Sequence, residues 1–214
     1  MKDNFQSQKF YDLVAPKYDE IVGQDSFADD LEPFLTPRAS EIHRALDIGA
    51  GTGKTIDGVL AWVEPETIVA VDISAHMLLE LKKKHARIDI YHGDVLEYLA
   101  GDPEPFDLIT AFCVFQLLPD LDPVIVSLAR KLNPGGLFVF IYEPIIAHHP
   151  TQSSAETMDW VLPEAPRSIY RRHPEHILTV LRRSGLRILE DRALPNAGQR
   201  SGEWIEERFV AARA

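Results

Sequence analysis

The stretch Leu46-Asp47-Ile48-Gly49-Ala50-Gly51-Thr52-Gly53-Lys54-Thr55 decides how the rest of this chain is read. A short apolar run, residues 44–48, leads into it, and a helical pattern through Trp62 follows. Glycines at such a turn allow positive φ and let a ligand touch the backbone. The helix N-terminus behind them favours anions or polar groups. Downstream, the β-branched run 67–71 ends at Asp72, and Ser74 caps the next helix, whose apolar stripe is Met77, Leu78 and Leu81. Lys82, Lys83, Lys84 and His85 suit the last turns of that helix. Strands are predicted at 88–91, 106–112 and 137–142, with a helix at 121–132 and a turn at Asn133-Pro134-Gly135-Gly136.

Strands alternating with helices at this spacing imply a mostly parallel sheet covered on both faces. The continuously apolar strands, IVAV and LFVFIY, fit that burial. The end of the chain differs. Pro174 opens a helix that stops at Gly185, then strand-like 186–194, a polar loop to Glu203 and strand-like 204–212 follow with no helix between them. Such a pair forms an antiparallel hairpin. The expected fold class is α/β: a Rossmann-like, doubly wound, seven-stranded, mostly parallel sheet with a C-terminal antiparallel hairpin.

At the N-terminus, Phe5, Phe10, Leu13, Val14 and Ile21 recur at roughly helical spacing, interrupted by Pro16. A second helix is predicted over 26–35, capped by Ser26. The 214 residues suit one domain. It divides into a helical cap (1–40), a core (41–142), a substrate lid (143–173) with a short helix over 153–160, and a closing helix and hairpin (174–214). The net charge of −11 argues against a nonspecific nucleic-acid binder. The one cysteine, Cys113, excludes an intramolecular disulfide and a cysteine zinc cluster. The longest apolar run is too short to cross a bilayer, and the first residues lack the apolar core of a signal peptide, which predicts a cytoplasmic protein away from membranes.

Two nucleotide readings of the glycine turn fail on spacing. A P-loop needs four residues between its first glycine and the final Gly-Lys pair, whereas Gly49 and Gly53 enclose three. A dinucleotide fingerprint needs G-x-G-x-x-G; Gly53 comes one residue early, and Asp47 would repel a pyrophosphate.

D-x-G-x-G-x-G followed by an acid ending the second strand resembles the class I S-adenosylmethionine-dependent methyltransferases, in their small-molecule, type 11/12-like branch. Gly93-Asp94-Val95, Phe106-Asp107-Leu108-Ile109-Thr110-Ala111-Phe112 and Leu132-Asn133-Pro134-Gly135-Gly136 resemble later motifs of that family, in order and at the right spacing. Tyr11-Asp12 and Tyr18-Asp19-Glu20 look like its cofactor-closing cap. The resemblance implies a cofactor, S-adenosylmethionine, that leaves as S-adenosylhomocysteine. Its implied contacts are Asp47, Gly49, Ala50, Gly51, Gly53, Asp72, Ile73, Asp94, Val95, Ala111 and Phe112, with Tyr11 and Tyr18 closing over them. A carboxylate before the glycines suits a ligand carrying an ammonium and a sulfonium, and Asp72 offers two acceptor oxygens to ribose hydroxyls.

The chain departs from many relatives in carrying Phe115-Gln116-Leu117 where they have histidine, and it lacks an N-P-P-Y type motif. No acidic cluster has metal-ligand spacing, so no metal is expected. No catalytic residue is assigned. The candidates for a base are Tyr142, Glu143, His148, His149 and His173. Six arginines and one acid between residues 167 and 187 make that segment +5. Arg182 and Arg183 complement a helix C-terminus, while Arg167, Arg171 and Arg172, with Trp160, are the candidates for holding an acidic substrate. The expected activity is methyl transfer to O, N or C of a small molecule. The alternatives are a protein or peptide methyltransferase, and a cofactor-binding protein without catalysis. Monomer and homodimer both stay open.

Overall fold

The computed structural model of the protein describes residues 2–22, 27–159, 161–200 and 203–214. Helix α1 (Lys2–Val14) gives way at Pro16 to a 3-10 turn, and α2 (Tyr18–Val22) continues beyond it. A proline lacks the amide that an unbroken helix would need there. Next come α3 (Ala28–Leu35), β1 (Ala45–Ile48), α4 (Lys54–Val59), β2 (Ile68–Asp72), α5 (Ala75–Lys84), β3 (Asp89–His92), α6 (Val95–Ala100) and β4 (Phe106–Ala111). The chain continues through α7 (Asp122–Ala129), β5 (Leu132–Tyr142), β6 (Glu156–Asp159), β7 (Arg167–Tyr170), α8 (Pro174–Arg183), β8 (Arg187–Arg200) and β9 (Glu203–Arg213). The expected cap Ser26 lies outside the described residues; α3 follows Phe27, whose φ is +57°.

The main sheet has seven strands in the order β3-β2-β1-β4-β5-β9-β8. β1 pairs in parallel with β2 and β4, β2 with β3, and β4 with β5; β9 runs antiparallel to both β5 and β8. This is the expected topology. One face of the sheet buries Leu46, Ile109, Phe138 and Phe140 under α6, α7 and α8. The other buries Ala45, Leu108, Val139 and Ile141 under α3, α4 and α5. Alternate residues of one strand serve opposite cores, which is why these strands read as unbroken apolar runs. Strand order reverses between β1 and β4, and open α/β sheets bind ligands in the crevice at such a switch point.

Four local expectations are corrected. The segment 153–160 forms no helix over its described part; Glu156–Asp159 is β6 and pairs antiparallel with β7, with Met158 opposite Ser168. Pro163 and Pro166, between the two strands, suit a hairpin connection and oppose a helix. The helix predicted over 121–132 ends at Ala129, because β5 already starts at Leu132. The Asn133-Pro134-Gly135-Gly136 segment is therefore a bulge in β5: the register slips between Phe106 and Leu108, and Gly135 takes φ +85°. The Gly135 amide donates to Ala214 O (3.1 Å), and its carbonyl accepts from Arg38 (2.9 Å) and Arg213 (3.2 Å), which hold the bulge against the sheet. β8 also runs farther than Leu194, to Arg200. No helix among the described residues is long and apolar enough to cross a membrane.

Candidate functional site

The glycine turn leaves β1 at the switch point. Gly49 N and Ala50 N both donate to Val71 O (2.8 and 3.2 Å), folding the turn back over the end of β2. Gly49 takes φ +65°, and a Cβ there would lie 2.5 Å from Val114 Cγ2, so the turn and the loop after β4 meet at a position only glycine fills. Gly51 has φ +54°, and its amide donates to Asp72 Oδ2 (2.8 Å). The other oxygen, Oδ1, accepts from Ser74 N (2.7 Å). Ser74 caps α5 by accepting from Met77 N (3.1 Å) and donates to Asp12 on α1 (2.5 Å). One carboxylate thus fixes the glycine turn and the start of α5 at the rim of the crevice. Burial pushes the Asp72 carboxyl up to about 6, against the pull of those two amides.

Asp47 sits on β1 beneath the turn, 2 % exposed. Its Oδ1 accepts from Thr110 Oγ1 on β4 (2.7 Å), and its Oδ2 has no partner. Burial raises this carboxyl to about 7, opposed by the Thr110 bond and reinforced by the negative charge of Asp72. An unpartnered acceptor in a buried place is costly, and a donor or cation brought to it recovers that cost.

Above these acids is a cleft of about 740 Å³, open to solvent. Of the expected cofactor contacts, Tyr11, Tyr18, Gly49, Gly51, Asp72, Ile73, Asp94, Val95 and Phe112 line it. Asp47 lies below the lining, and three others sit behind it. Ala50 and Ala111 are buried, and Gly53, with φ +90°, caps α4 against Leu81. Asp94 does two jobs: it faces the cleft and caps α6, accepting from Leu96 N (2.7 Å). The lining also includes Met77, Cys113, Val114, Leu117 and Leu118, which sequence reasoning did not assign. Met77 comes from α5 and the other four from the loop after β4, where the residues assigned as cofactor contacts stopped at Phe112.

None of the candidate bases lines the cleft. Tyr142 belongs to the core under α6, α7 and α8, and burial pushes its hydroxyl up. Glu143 is 1 % exposed and binds Arg171 Nε (3.0 Å). His148 and His173 are exposed, and His149 Nδ1 accepts from Thr151 N (3.2 Å).

The arginines are engaged within the protein. Arg171 is 2 % exposed and holds Glu143 and Thr157 Oγ1 (2.9 Å). Arg172 Nη2 donates to the carbonyls of Leu118 (2.6 Å) and Pro119 (2.8 Å). Arg167 grips Asp159 through Nε (3.2 Å) and Nη2 (3.1 Å), stacks 3.9 Å from the Phe10 ring centroid and donates to the Tyr11 hydroxyl. It fastens α1 to the β6–β7 hairpin. Trp160 lies outside the described residues. Sequence counted the arginines as positive charge; their partners, 8 to 156 residues away, make them braces. Arg167→Ala leaves the buried Asp159 without this guanidinium and costs about 3 kcal/mol. Hydrogen exchange is expected to show α1 losing protection ahead of the central strands; unchanged protection of α1 contradicts the bracing role.

A second anchor joins the cap to the turn. Asp19 at the start of α2 accepts from Thr52 Oγ1 (2.5 Å) and pairs with Lys84 (3.0 Å). Tyr11 and Tyr18 meet edge to face, 6.1 Å apart, above the cleft.

Comparison with known proteins agrees with this geometry. The family profile described as a methyltransferase domain matches residues 46–138. A 2-methyl-6-phytyl-1,4-hydroquinone methyltransferase of the rice chloroplast is 30 % identical over 147 residues, covering 66 % of this chain and 41 % of that protein. A malonyl-[acyl-carrier protein] O-methyltransferase of Chlorobium luteolum is 29 % identical over 140 residues, covering 62 % of this chain and 53 % of its own. The chain spans about half the length of these curated relatives. The magnesium protoporphyrin IX methyltransferase of Synechocystis, solved with S-adenosylhomocysteine, superposes with a TM-score of 0.67 over 99 % of both chains at 15 % identity, a likeness of fold. Residues 46–138 of this chain are thus similar to a methyltransferase domain, and the chain as a whole shares the fold of solved methyltransferases.

Proposed function

We propose that the protein is an S-adenosylmethionine-dependent methyltransferase that methylates an oxygen, nitrogen or carbon nucleophile of a small molecule. The observation that carries this reading is the pair Asp47 and Asp72 around the glycine turn. A buried carboxylate oxygen with no partner lies under a rim carboxylate whose two oxygens each retain accepting capacity. The donor set fits a cationic nucleoside ligand better than a phosphate. Asp72 would take the ribose hydroxyls, Ile73 and Asp94 the adenine, and Asp47 the ammonium end. When bound, the cofactor supplies a methyl group already activated on a positive sulfur.

The protein's own work is alignment and exclusion of water. Tyr11 and Tyr18 roof the cleft, and burial raises the pKa of both hydroxyls, so they stay protonated. One curated relative is named for a 2-methyl-6-phytyl-1,4-hydroquinone and another for the malonyl group of a malonyl-[acyl-carrier protein], which supports an acceptor group of small-molecule size. The charge of −11 supports an acceptor other than nucleic acid. The reading includes action in the cytoplasm, where a lone thiol remains reduced, as a monomer or homodimer.

Calorimetry tests the cofactor. S-adenosylmethionine and S-adenosylhomocysteine are expected to bind, and NAD and ATP are not; failure of the first two overturns the reading. Its pH dependence follows from the raised carboxyls. In the free protein Asp47 and Asp72 take up protons near pH 7 and 6. A cation prefers them ionised, so S-adenosylmethionine binds about tenfold more weakly at pH 6 than at pH 8 and releases protons on binding. Affinity that is flat across this range contradicts the role given to Asp47.

A further inference from the structure

The cofactor contacts leave one polar side chain of the cleft wall unused. Ser7 lies on α1, lines the cleft and is only 4 % exposed. Its hydroxyl has no partner among the described residues. A buried hydroxyl without a partner is costly, and a ligand group that bonds it recovers that cost.

Its place along α1 separates it from the ribose rim. Asp12, farther along the same helix, accepts from Ser74 beside Asp72. At 1.5 Å per residue, Ser7 stands about 7.5 Å from Asp12 along the helix axis. Between the two, α1 meets the β6–β7 hairpin and its connection. Lys9 Nζ donates to Glu164 O (2.6 Å), and Arg167 stacks on Phe10 and donates to Tyr11.

Tyr11 follows Ser7 by one turn, and residues four apart share a helix face. Both line the cleft. The Tyr11 oxygen accepts from Arg167, and its own hydrogen is left to donate. The loop after β4 adds the apolar side chains of Val114, Leu117 and Leu118 to the lining. Among the described residues, the charged side chains of the lining are Asp72 and Asp94, and both serve the cofactor. Arg167 and Arg171 are held by Asp159 and Glu143. What remains for an acceptor is hydroxyl and hydrocarbon.

We propose that Ser7 recognises the methyl acceptor, and that the acceptor presents an uncharged hydroxyl on an apolar body. A hydroxyl both donates and accepts. It donates to Ser7 Oγ and accepts from Tyr11, while Leu117 and Leu118 receive the body. An ammonium or carboxylate would leave water with no opposite charge to meet it, which costs far more than desolvating a hydroxyl. The proposal rests on the methyltransferase reading for what happens to the acceptor, but the preference for a hydroxyl belongs to the chain alone.

Three probes of one shape and different charge test it: benzyl alcohol, benzylamine and benzoate. Their affinities are measured by ligand-observed NMR on the protein with and without S-adenosylhomocysteine. Benzyl alcohol is expected to bind at least about tenfold more tightly than either charged probe. Ser7→Ala lowers its affinity about fivefold, the worth of one hydrogen bond, and leaves affinity for S-adenosylhomocysteine unchanged. Alanine is the best helix former, so α1 keeps its place. A charged probe binding as tightly as benzyl alcohol, no binding by any probe, or undiminished alcohol affinity in S7A overturns the proposal. So does a loss of S-adenosylhomocysteine binding in S7A, which gives the hydroxyl to the cofactor. Failure of the wild-type protein to bind S-adenosylhomocysteine is instead a failure of the cofactor reading, and the probe order on the cofactor-free protein then decides the proposal.

Discussion

Asp72→Asn is expected to weaken S-adenosylmethionine binding about a hundredfold without destabilising the free protein at pH 8. Asparagine keeps one acceptor oxygen. If that oxygen stays on Ser74 N, the amide nitrogen faces the Gly51 N–H, donor against donor, and the glycine turn loses its tether to β2. The ribose loses a charged acceptor as well. Hydrogen bonds to a charged group are worth about 1.5–3 kcal/mol each, and about 2.7 kcal/mol corresponds to the hundredfold. Stability moves differently. Burial disfavours the ionised carboxylate, which is why its pKa rises to about 6, so at pH 8 the relief of that burden by a neutral amide offsets the lost Gly51 bond. The two raised carboxyls stabilise the free protein fully only below their unfolded values near pH 4. That contribution declines as pH rises and is lost above about pH 7. Calorimetry and thermal melts at pH 8 check both halves; a loss of affinity under about threefold contradicts the ribose role.

Arg171→Ala is expected to have the largest effect on folding, about 3–5 kcal/mol in urea denaturation. Glu143 is 1 % exposed and Arg171 2 %. Truncation removes the guanidinium at 3.0 Å from a carboxylate buried just beyond β5. The companion change Arg171→Met with Glu143→Leu recovers most of the loss, since an apolar pair of similar volume avoids the desolvation of two ions. A substrate-binding arginine would behave otherwise: its loss would raise the acceptor's KM and leave the urea midpoint in place.

Much of the fold was legible in the sequence. β2 and β5 are buried on both faces, so IVAV and LFVFIY carry no polar interruptions, and their alternation with capped helices gives the topology. The glycine turn was legible because its spacing is a backbone requirement: Gly49 and Gly51 need positive φ, and Gly49 has no room for a Cβ. The β6–β7 hairpin was not. Glu-Thr-Met-Asp has neither β-branched density nor alternation, and the strand exists because Arg167–Tyr170 returns beside it. Tyr142 was placed by its position at the end of β5, but strand alternation turns it away from Ile141 and into the core on the other face.

The central claim is methyl transfer, and the most direct measurement supplies the protein with S-adenosylmethionine bearing a deuterated methyl group and a small-molecule cell extract. Mass spectrometry is expected to find a low-molecular-weight compound that gains the labelled methyl with wild-type protein and does not with Asp72→Asn. Label that enters no compound while S-adenosylmethionine binds, or label that enters only protein, contradicts the account.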